Sequence, residues 1–355
     1  MIKDILKKFS IEGNNVFIQP FGSGLINHTW IVKQNDKKYI LQKINKKVFL
    51  EPQKIDHNIR MIAEYLTQNY PDYLFTKPIP TTDNKGLVEP DEDSSYRLFE
   101  FVEGSHSYTV VEHKELAYEA ARQFGKFTRL LTDIDVSKVK ITLPDFHNLS
   151  LRYIQFESAI SKASKERLNI ASEHINTLIA NKSIVEDYES ILQNPFFKKR
   201  VTHHDTKISN VLFNSNNKGL CVIDLDTVMP GYFISDIGDM MRTYLSPAGE
   251  EETDFSKIEV REEYFEAIVT GYLSEMQDEL SETEKEYFIY AGKFMIYMQA
   301  LRFLTDYLNN NIYYSSKYEL HNLNRTINQL TLLNQLIEKE EKLKEIVSNA
   351  ILVNK

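Results

Sequence analysis

The first hundred residues show short stretches in which apolar and polar positions alternate, a pattern that predicts β-strands. The stretches "VFIQPF" (16–21), "HTWIVKQ" (28–34) and "KYILQKI" (38–44) are rich in β-branched and aromatic residues. "NDKK" between the last two suits a hairpin turn. A helix is predicted over residues 54–70, and two further extended pieces lie around 86–90 and 95–102. The pattern therefore predicts a small β-rich domain over residues 1–103.

The pattern changes to helical spacing after Gly104. Residues 112–134 repeat apolar positions every three or four residues, and residues 148–194 predict two more helices. Ser281 and Glu284 form a capping-box pattern before the run 287–308, which is apolar on almost every face. We therefore predict a larger helical domain over residues 104–355, and an α+β fold for the whole chain.

Composition narrows the class of protein. The chain has 355 residues, enough for two hydrophobic cores, and carries a net charge of -9, which disfavours nonspecific binding to nucleic acid. It contains no apolar run of the roughly 18 residues that a membrane span needs. The first ten residues predict a short amphipathic helix rather than a signal peptide. Its single cysteine, Cys221, excludes an intrachain disulfide. We therefore expect a cytoplasmic protein with no membrane partner and no nucleic-acid partner.

One dense cluster of polar residues lies between apolar strands, in "VTHHDTKISNVLFN" (201–214) and "GLCVIDLDT" (219–227). Phosphoryl transfer needs a carboxylate to orient the attacking hydroxyl and oxygen ligands to hold Mg²⁺. Asp205 is the candidate base, and Asn210 and Asp224 are the candidate metal ligands. The five-residue separation of Asp205 from Asn210 matches the catalytic loop of protein kinases. The cluster therefore indicates an ATP-dependent kinase.

The motif "HHDTKISNVLF…VIDLDT" resembles that of the aminoglycoside phosphotransferase superfamily, whose members have a bilobal protein-kinase-like fold and use ATP and Mg²⁺. The superfamily usually has His-Gly-Asp where this chain has His203, His204 and Asp205. We expect both histidines to brace the loop by hydrogen bonds rather than to bind metal. Three polar residues of "SDIGDMMR" are expected to support the same loop: Asp236, Asp239 and Arg242.

The resemblance extends to the β-rich domain. Gly22, Ser23 and Gly24 lie in a predicted turn between two strands, where backbone N–H groups can approach phosphates. "RLFEFVEG" resembles the inter-lobe hinge, which implies that backbone groups from Glu100 to Val102 bond the adenine.

The phosphate-contacting lysine of the superfamily has two possible positions in "YILQKIN". Strand alternation places Lys43 and Gln42 on opposite faces of the sheet. Lys43 is the favoured candidate, and alignment with Gln42 would be a departure from the family pattern. Asp56 and Glu64 on the following helix are both candidates for the carboxylate that pairs with this lysine.

The motifs together, over residues 18–330, are most similar to those of bacterial N-acetylhexosamine 1-kinases. This resemblance implies that the acceptor is the anomeric hydroxyl of an N-acetylhexosamine. It also implies that Arg302 bonds the sugar and that Tyr313 forms a wall of its pocket. The residues alone leave another role open for Arg302, since Asp306 and Tyr307 could satisfy its charge structurally.

Other functions remain possible at this stage. The same fold serves kinases for choline, homoserine, methylthioribose and aminoglycosides. A nucleotide-binding regulatory module without catalysis is a rival of a different class, although such modules often lose one of the three polar residues that this chain retains. A protein-interaction scaffold would leave the polar cluster unexplained. Nothing in the sequence pattern specifies the acceptor or the oligomeric state.

Overall fold

The computed structural model describes residues 2–22, 24, 26–314 and 316–353. In chain order, its strands are β1 (Val16–Pro20), β2 (His28–Gln34), β3 (Lys37–Ile44), β4 (Val88–Asp91), β5 (Ser94–Glu100), β6 (Arg200–Thr202), β7 (Val211–Phe213), β8 (Gly219–Val222) and β9 (Met229–Gly231). Its helices are α1 (Ile2–Lys7), α2 (Pro52–Asn69), α3 (Lys114–Leu130), α4 (Leu149–Lys162), α5 (Lys165–Ala180), α6 (Ser183–Gln193), α7 (Phe233–Tyr244), α8 (Glu262–Met276), α9 (Glu282–Lys285), α10 (Phe288–Leu308), α11 (His321–Glu338) and α12 (Glu340–Val353). None of the described helices has the length and apolar character needed to cross a membrane.

The chain divides into two compact units. The first contains residues 1–106, 130–144 and 212–230, and the second contains the intervening residues and the remainder of the chain. The first unit thus includes two later segments that the sequence analysis assigned to the helical domain.

An antiparallel sheet forms the body of the first unit, with strand order β1-β2-β3-β5-β4. One face of this sheet packs on α1, where Leu41, Leu98 and Tyr96 join Ile5 and Leu6 in a buried apolar cluster. The amphipathic character predicted for the N-terminal residues therefore has a structural purpose, since α1 covers one face of the sheet.

The buried side chain of Asn58 on α2 ties both later segments to the first unit. Its Nδ2 donates to the carbonyl oxygens of Lys140 (2.8 Å) and Val228 (3.0 Å), and its Oδ1 accepts from the Lys140 N–H (2.8 Å). An apolar residue at position 58 would leave these buried backbone groups without partners. One side chain therefore helps to determine which segments belong to this unit.

The second unit is built around α10, which is buried on nearly all sides, as its apolar pattern predicts. It packs against α4, α5, α6, α7 and α11. Two buried tyrosines of α10 have backbone partners for their hydroxyl groups. Tyr297 donates to the Leu178 carbonyl at 2.7 Å, and Tyr290 donates to the Ile184 carbonyl at 2.8 Å. Together the sheet and these helices confirm the α+β fold class.

Residues 148–194 form three helices instead of the two predicted. The first break separates α4 from α5. There the Ser164 side chain accepts a hydrogen bond from the Arg167 N–H and so caps the start of α5. The apolar periodicity did not reveal the breaks between these helices, because the periodic pattern continues across the two-residue connections. The capping box of Ser281 and Glu284 is confirmed at the start of α9, and Cys221 is buried as predicted.

Candidate active site

Helix α7 holds the polar loop that follows β6 through carboxylates that accept backbone hydrogen bonds. The N–H groups of His203 and His204 donate to the two oxygens of Asp236 at 3.1 and 2.7 Å. The N–H of Thr206 donates to Asp239 at 2.8 Å. These contacts give Asp236 and Asp239 the supporting role that the sequence suggests, and they fix the loop backbone around Asp205.

The Asp236 carboxyl is fully buried. Burial raises its pKa to about 7, because two backbone N–H bonds offset only part of the lost hydration and Asp239 adds negative charge nearby. The other carboxylate, Asp239, is joined to the Arg242 guanidinium by two contacts of 3.1 and 2.9 Å, and Arg242 also bonds Glu250 at 2.9 Å. The loop is therefore held by two carboxyl groups of different kinds. Asp236 titrates near neutral pH, and Asp239 is in an ion pair with Arg242.

Asp205 and Asn210 are brought together as the spacing predicts. Asn210 Nδ2 donates to the Asp205 carbonyl at 2.8 Å and to its carboxylate at 3.0 Å. The Lys207 ammonium lies 2.9 Å from the other carboxylate oxygen. Burial alone would raise the pKa of Asp205, but Lys207, His203 and the Asn210 hydrogen bond together hold it below its usual value. Asp205 is therefore a carboxylate at neutral pH.

His203 and His204 make hydrogen bonds within the loop region, in agreement with a bracing role. His204 has a left-handed backbone (φ 67°), a conformation that the glycine of the superfamily motif adopts without strain. Its ring offsets this by contacting Thr202 Oγ1 at 2.8 Å and Ser235 Oγ at 3.1 Å. Gly231 makes room for the ring, because a Cβ there would lie 2.4 Å from His204 Cε1.

The donor set at Asn210 fits a magnesium ligand. Its amide nitrogen is occupied by Asp205, and within the described part of the chain its amide oxygen accepts no hydrogen bond. Asp224 follows β8 as an exposed residue with a left-handed backbone (φ 61°), in the first unit. Across the described residues no group of three or more His, Cys, Asp or Glu side chains could hold a metal.

The glycine turn between β1 and β2 has the predicted backbone at Gly22, whose φ is 77°. A side chain there would be strained, so glycine is favoured. Gly24 lies in the same connection, and a Cβ there would lie 3.8 Å from the Asn27 carbonyl oxygen. The predicted site residue Ser23 lies outside the described residues.

Lys43 and Gln42 lie on opposite faces of the sheet, as strand alternation requires. Lys43 shares its face with Leu41, and its ammonium lies 5.8 Å from the Tyr96 ring centre, beside the cluster that packs on α1. Gln42 is on the other face, where its Oε1 accepts from Arg97 Nε at 3.0 Å. Lys43 therefore lies on the face that packs on α1, and Gln42 lies on the face that carries Arg97.

Among the described residues, neither of the two candidate carboxylates on α2, Asp56 and Glu64, pairs with Lys43 or Gln42. Asp56 lies 3.9 Å from the Arg60 guanidinium, and burial raises the pKa of its carboxyl. Glu64 is exposed, and no ion pair joins either carboxylate to Lys43 among the described residues. The carboxylate on this face of the sheet is instead Asp226, which pairs with Arg97 at 2.5 Å.

The predicted hinge begins where β5 ends, at Glu100. The Val102 carbonyl accepts a hydrogen bond from Ser105 Oγ at 2.6 Å, while the Val102 N–H has no partner within the described residues. The Phe101 N–H is used by the Lys38 carbonyl at 3.0 Å. Of the N–H groups of Phe101 and Val102, that of Val102 is thus the one without a protein partner among the described residues.

Arg302 on α10 does not brace Asp306. The Asp306 carboxylate accepts the N–H groups of Tyr313 (2.7 Å) and Tyr314 (2.9 Å), as well as an Asn322 side-chain bond of 2.9 Å. The polar contact of Arg302 is with Gln299, at 3.5 Å, and its guanidinium lies 5.5 and 6.0 Å from the Tyr314 and Tyr313 ring centres. The bracing role left open by the sequence is therefore wrong. Tyr313 itself is 75% exposed.

A second arginine, Arg152 on α4, lies in the electrostatic neighbourhood of Arg302. Burial lowers the pKa of Arg152, and the charge of Arg302 lowers it further. Arg152 bonds Gln155 and the Asp145 carbonyl at 3.0 and 2.7 Å, and no carboxylate lies within ion-pair distance of either arginine in the described part of the chain. Neither guanidinium is therefore in an ion pair among the described residues, although the charge of the Asp145 carboxylate acts on Arg152.

His147 belongs to the same region. Its Nδ1 lies 2.7 Å from Ser235 Oγ, and its ring stacks on Phe146 with 4.3 Å between centres. Burial, followed by the charges of His204 and the nearby arginines, holds the pKa of His147 well below its usual value, so the ring is neutral at pH 7.

Several residues described above, in one unit or the other, were not found from the sequence. Lys207 could have been noticed, because it lies two residues after the candidate base in the quoted motif. The others depend on contacts between distant segments and had no local signal: Asn27, Arg97, Asp226, Gly231, His147 and Arg152.

Comparison with known proteins gives a family and a fold. The model of a family described as "Phosphotransferase enzyme family" matches residues 18–280. An aminoglycoside phosphotransferase from Alicyclobacillus acidocaldarius is 12% identical with a TM-score of 0.60, and the match covers 99% of this chain and 95% of that one. A spectinomycin phosphotransferase in complex with ADP and spectinomycin is 14% identical (TM-score 0.58, 98% and 97% coverage). An ethanolamine kinase from Plasmodium vivax is 15% identical (TM-score 0.59, 92% and 85% coverage). These likenesses confirm the protein-kinase-like fold class.

Proposed function

Because the chain belongs to the phosphotransferase enzyme family, we propose that it transfers the γ-phosphoryl group of ATP to the anomeric hydroxyl of an N-acetylhexosamine or a closely related sugar. The observation that carries the proposal is the group formed by Asp205, Lys207 and Asn210 in one loop. It combines an ionised carboxylate, a cation and an amide oxygen, which are the parts that phosphoryl transfer requires.

Each residue has a role that follows from its contacts. Asp205 orients the acceptor hydroxyl and takes its proton as the oxygen–phosphorus bond forms. Lys207 lies 2.9 Å from this carboxylate and is half-exposed, so it is placed to stabilise negative charge on the phosphoryl group in transfer. Asn210 and Asp224 are proposed as the protein ligands of Mg²⁺, an ion that neutralises phosphate charge when bound. The backbone of Gly22 and Gly24 is proposed to approach the phosphates, and the Val102 N–H to bond adenine.

The region around Arg302 favours a sugar over an amine as the acceptor. Two guanidinium groups that are in no ion pair among the described residues repel an ammonium group and attract hydroxyl and carbonyl oxygens. The neutral ring of His147 adds a further polar group nearby. Choline, ethanolamine and aminoglycosides are cations, whereas an N-acetylhexosamine presents hydroxyls and an amide carbonyl. We therefore propose that Arg302 bonds the sugar and that Tyr313 contributes a wall.

An acceptor panel tests this function. ATP consumption is measured with N-acetylglucosamine and N-acetylgalactosamine against glucosamine, choline, homoserine, methylthioribose and an aminoglycoside. The acetylated sugars are expected to be the best acceptors. In the matched variant Asp205→Asn, kcat should fall about 100-fold or more, while ATP affinity stays near wild type. Turnover with none of the panel, or turnover with cationic acceptors alone, would contradict the proposal.

Arg302→Leu separates an acceptor role from a structural one. The acceptor KM should rise about 10- to 100-fold, the scale of one charged hydrogen bond of about 1.5–3 kcal/mol, while the ATP KM changes little. The melting temperature should hold or rise, because Asp306 keeps all its partners. Arg167→Leu is the control, since Arg167 bonds the Tyr307 carbonyl at 2.7 Å and should affect stability without changing the acceptor KM.

A further inference from the structure

A row of polar side chains crosses one face of the five-stranded sheet. Thr29 on β2 is the register partner of Gln42 on β3, and Gln42 is the register partner of Arg97 on β5. Gln42 Nε2 donates to Thr29 Oγ1 at 3.4 Å, and Arg97 Nε donates to Gln42 Oε1 at 3.0 Å. Protein kinases carry a lysine on the strand where this chain has Gln42. The positive charge in this row is therefore carried by Arg97 on the neighbouring strand β5.

The Asp226 carboxylate completes the row. Its Oδ1 lies 2.5 Å from Arg97 Nη1, and its Oδ2 accepts from Asn27 Nδ2 at 2.7 Å. Arg97 and Asp226 are each 2% exposed, so both charges are withdrawn from water. One oxygen of Asp226 is thus bound to a guanidinium and the other to an amide.

The same carboxylate joins two segments that carry proposed nucleotide contacts. Asp226 lies in the short turn Leu225–Thr227, directly after the candidate metal ligand Asp224. Asn27 ends the connection that contains Gly22 and Gly24, and its Oδ1 accepts the Asn45 N–H at 3.0 Å. A change at Arg97 would therefore reach the metal-ligand segment and the glycine turn together.

We propose, on the premise of the kinase function above, that Arg97 is a positioning residue that takes the place of the strand lysine of kinases. It does so through Asp226: the ion pair fixes the segment that carries Asp224, and Asn27 extends this constraint to the glycine turn. The partner of the cation is a carboxylate close to the metal ligand, whereas in protein kinases it is a glutamate on a helix.

Buried ion pairs also occur with a purely structural role, and the two roles predict different results. A structural pair affects the fraction of folded protein but not the ligand affinity of the folded molecules. A pair that orients a metal ligand changes the dependence of nucleotide binding on Mg²⁺, as partners of metal ligands do. Binding of ATP measured across a range of Mg²⁺ concentrations therefore separates the two roles without any assay of turnover.

The experiment compares wild type, Arg97→Met, Gln42→Lys and the double variant Gln42→Lys/Arg97→Met by calorimetric titration of ATP at several Mg²⁺ concentrations. Arg97→Met should weaken Mg·ATP binding by about 10-fold or more and raise the Mg²⁺ concentration needed for half-maximal binding. Binding of ATP with excess chelator should change less. The double variant restores one cation to the row at the neighbouring register position and should recover much of the loss. Arg122→Met is the control, because Arg122 pairs with Glu119 and Glu275 in the second unit and should not alter the Mg²⁺ dependence.

Folding is measured on every variant by circular dichroism. If Arg97→Met does not fold, Asn27→Ala replaces it, since this change removes the 2.7 Å bond to Asp226 and leaves both charges paired. A higher Mg²⁺ requirement in either variant supports the proposal, and recovery in the double variant strengthens it. Unchanged Mg²⁺ dependence in folded variants, with normal binding by wild type, would overturn this inference alone. Failure of wild type to bind Mg·ATP would overturn the kinase function and the inference with it.

Discussion

Two buried aspartates support the two halves of the proposed chemistry, and they are stabilised in opposite ways. Asp236 in the second unit accepts two backbone N–H groups of the loop that carries Asp205, and no cation pairs with it among the described residues. Asp226 in the first unit is bonded by the side chains of Arg97 and Asn27. Asp236 thus binds backbone groups, whereas Asp226 is bound by side chains.

The difference determines how each site depends on sequence. Backbone donors are present for any residue except proline at positions 203 and 204, so the loop at Asp236 tolerates a histidine where the family motif has glycine. The network at Asp226 requires particular side chains at positions 27, 42 and 97. Backbone donors compensate burial only partly, which is why the pKa of Asp236 rises to about 7.

The largest effect is expected from Asp226→Asn. This change leaves the Arg97 guanidinium buried without a counterion, which should lower the free energy of unfolding by about 3–5 kcal/mol. Denaturant unfolding measures the loss. The double variant Arg97→Met/Asp226→Leu removes both charges and should recover much of it. If Asp226→Asn unfolds no more easily than Asp236→Asn, the distinction between the two aspartates is wrong.

Asp236→Asn is expected to cost less, about 1–3 kcal/mol, because it leaves no charge unpaired. An amide can accept only one of the two loop N–H groups and directs its own donors at the other. The loop should therefore shift, and kcat should fall about 10- to 100-fold through misplacement of Asp205. Asp187→Asn on α6 is the matched control, since Asp187 takes no part in the hydrogen bonds of the loop described above. Normal turnover in Asp236→Asn would show that the loop keeps its position without this carboxylate.

Gly231→Ala tests the space provided for His204. The added Cβ would lie 2.4 Å from His204 Cε1 and 2.4 Å from Thr202 Oγ1, so we expect a loss of about 1–3 kcal/mol. Combining it with His204→Gly removes the contacts with the ring and leaves the one with Thr202, so the two changes should cost less than their sum. Gly249→Ala is the control, because a Cβ at that position would meet no atom within 4 Å. Strict additivity in the double variant would argue against this packing relation.

The smallest effect expected is on pH dependence. The pKa of Asp236 is about 7 in the folded chain against an ordinary value of 3.8, so the folded state binds this proton more tightly than the unfolded state. The stabilising contribution is therefore complete below pH 3.8 and is lost as the pH rises to about 7. The melting temperature of wild type relative to Asp236→Asn should fall by about 1–3 °C between pH 5 and 7.5. A constant difference over this range would show that Asp236 does not titrate there.

The features that could be predicted from the sequence were those with a local pattern. The strands around residues 28–34 and 38–44, the burial of α10 and the Asp205–Asn210 pair all follow from spacing within one segment. The partner of Asp226 could not be predicted in this way. Arg97 lies on a strand 55 residues after Gln42, and only the β3–β5 register brings the two together.

The same limit applies to Arg302. Its neighbour Asp306 has the i+4 spacing of a helical ion pair, yet the carboxylate is satisfied by backbone N–H groups of the following loop. Helical spacing shows which side chains can meet and not which partner is preferred. The sequence therefore left the partner of Arg302 open, and the structure shows Gln299 in place of Asp306.

The burial of α10 has a consequence for the order of synthesis. This helix is apolar on almost every side and needs both α7, which is made before it, and α11, which is made after it. On the ribosome, one side of α10 stays uncovered until α11 has emerged, and exposed apolar surface of this kind favours aggregation. A chain truncated after α10 should thus form inclusion bodies even though every proposed catalytic residue has already been made, and supplying α11 as a separate peptide should improve its solubility.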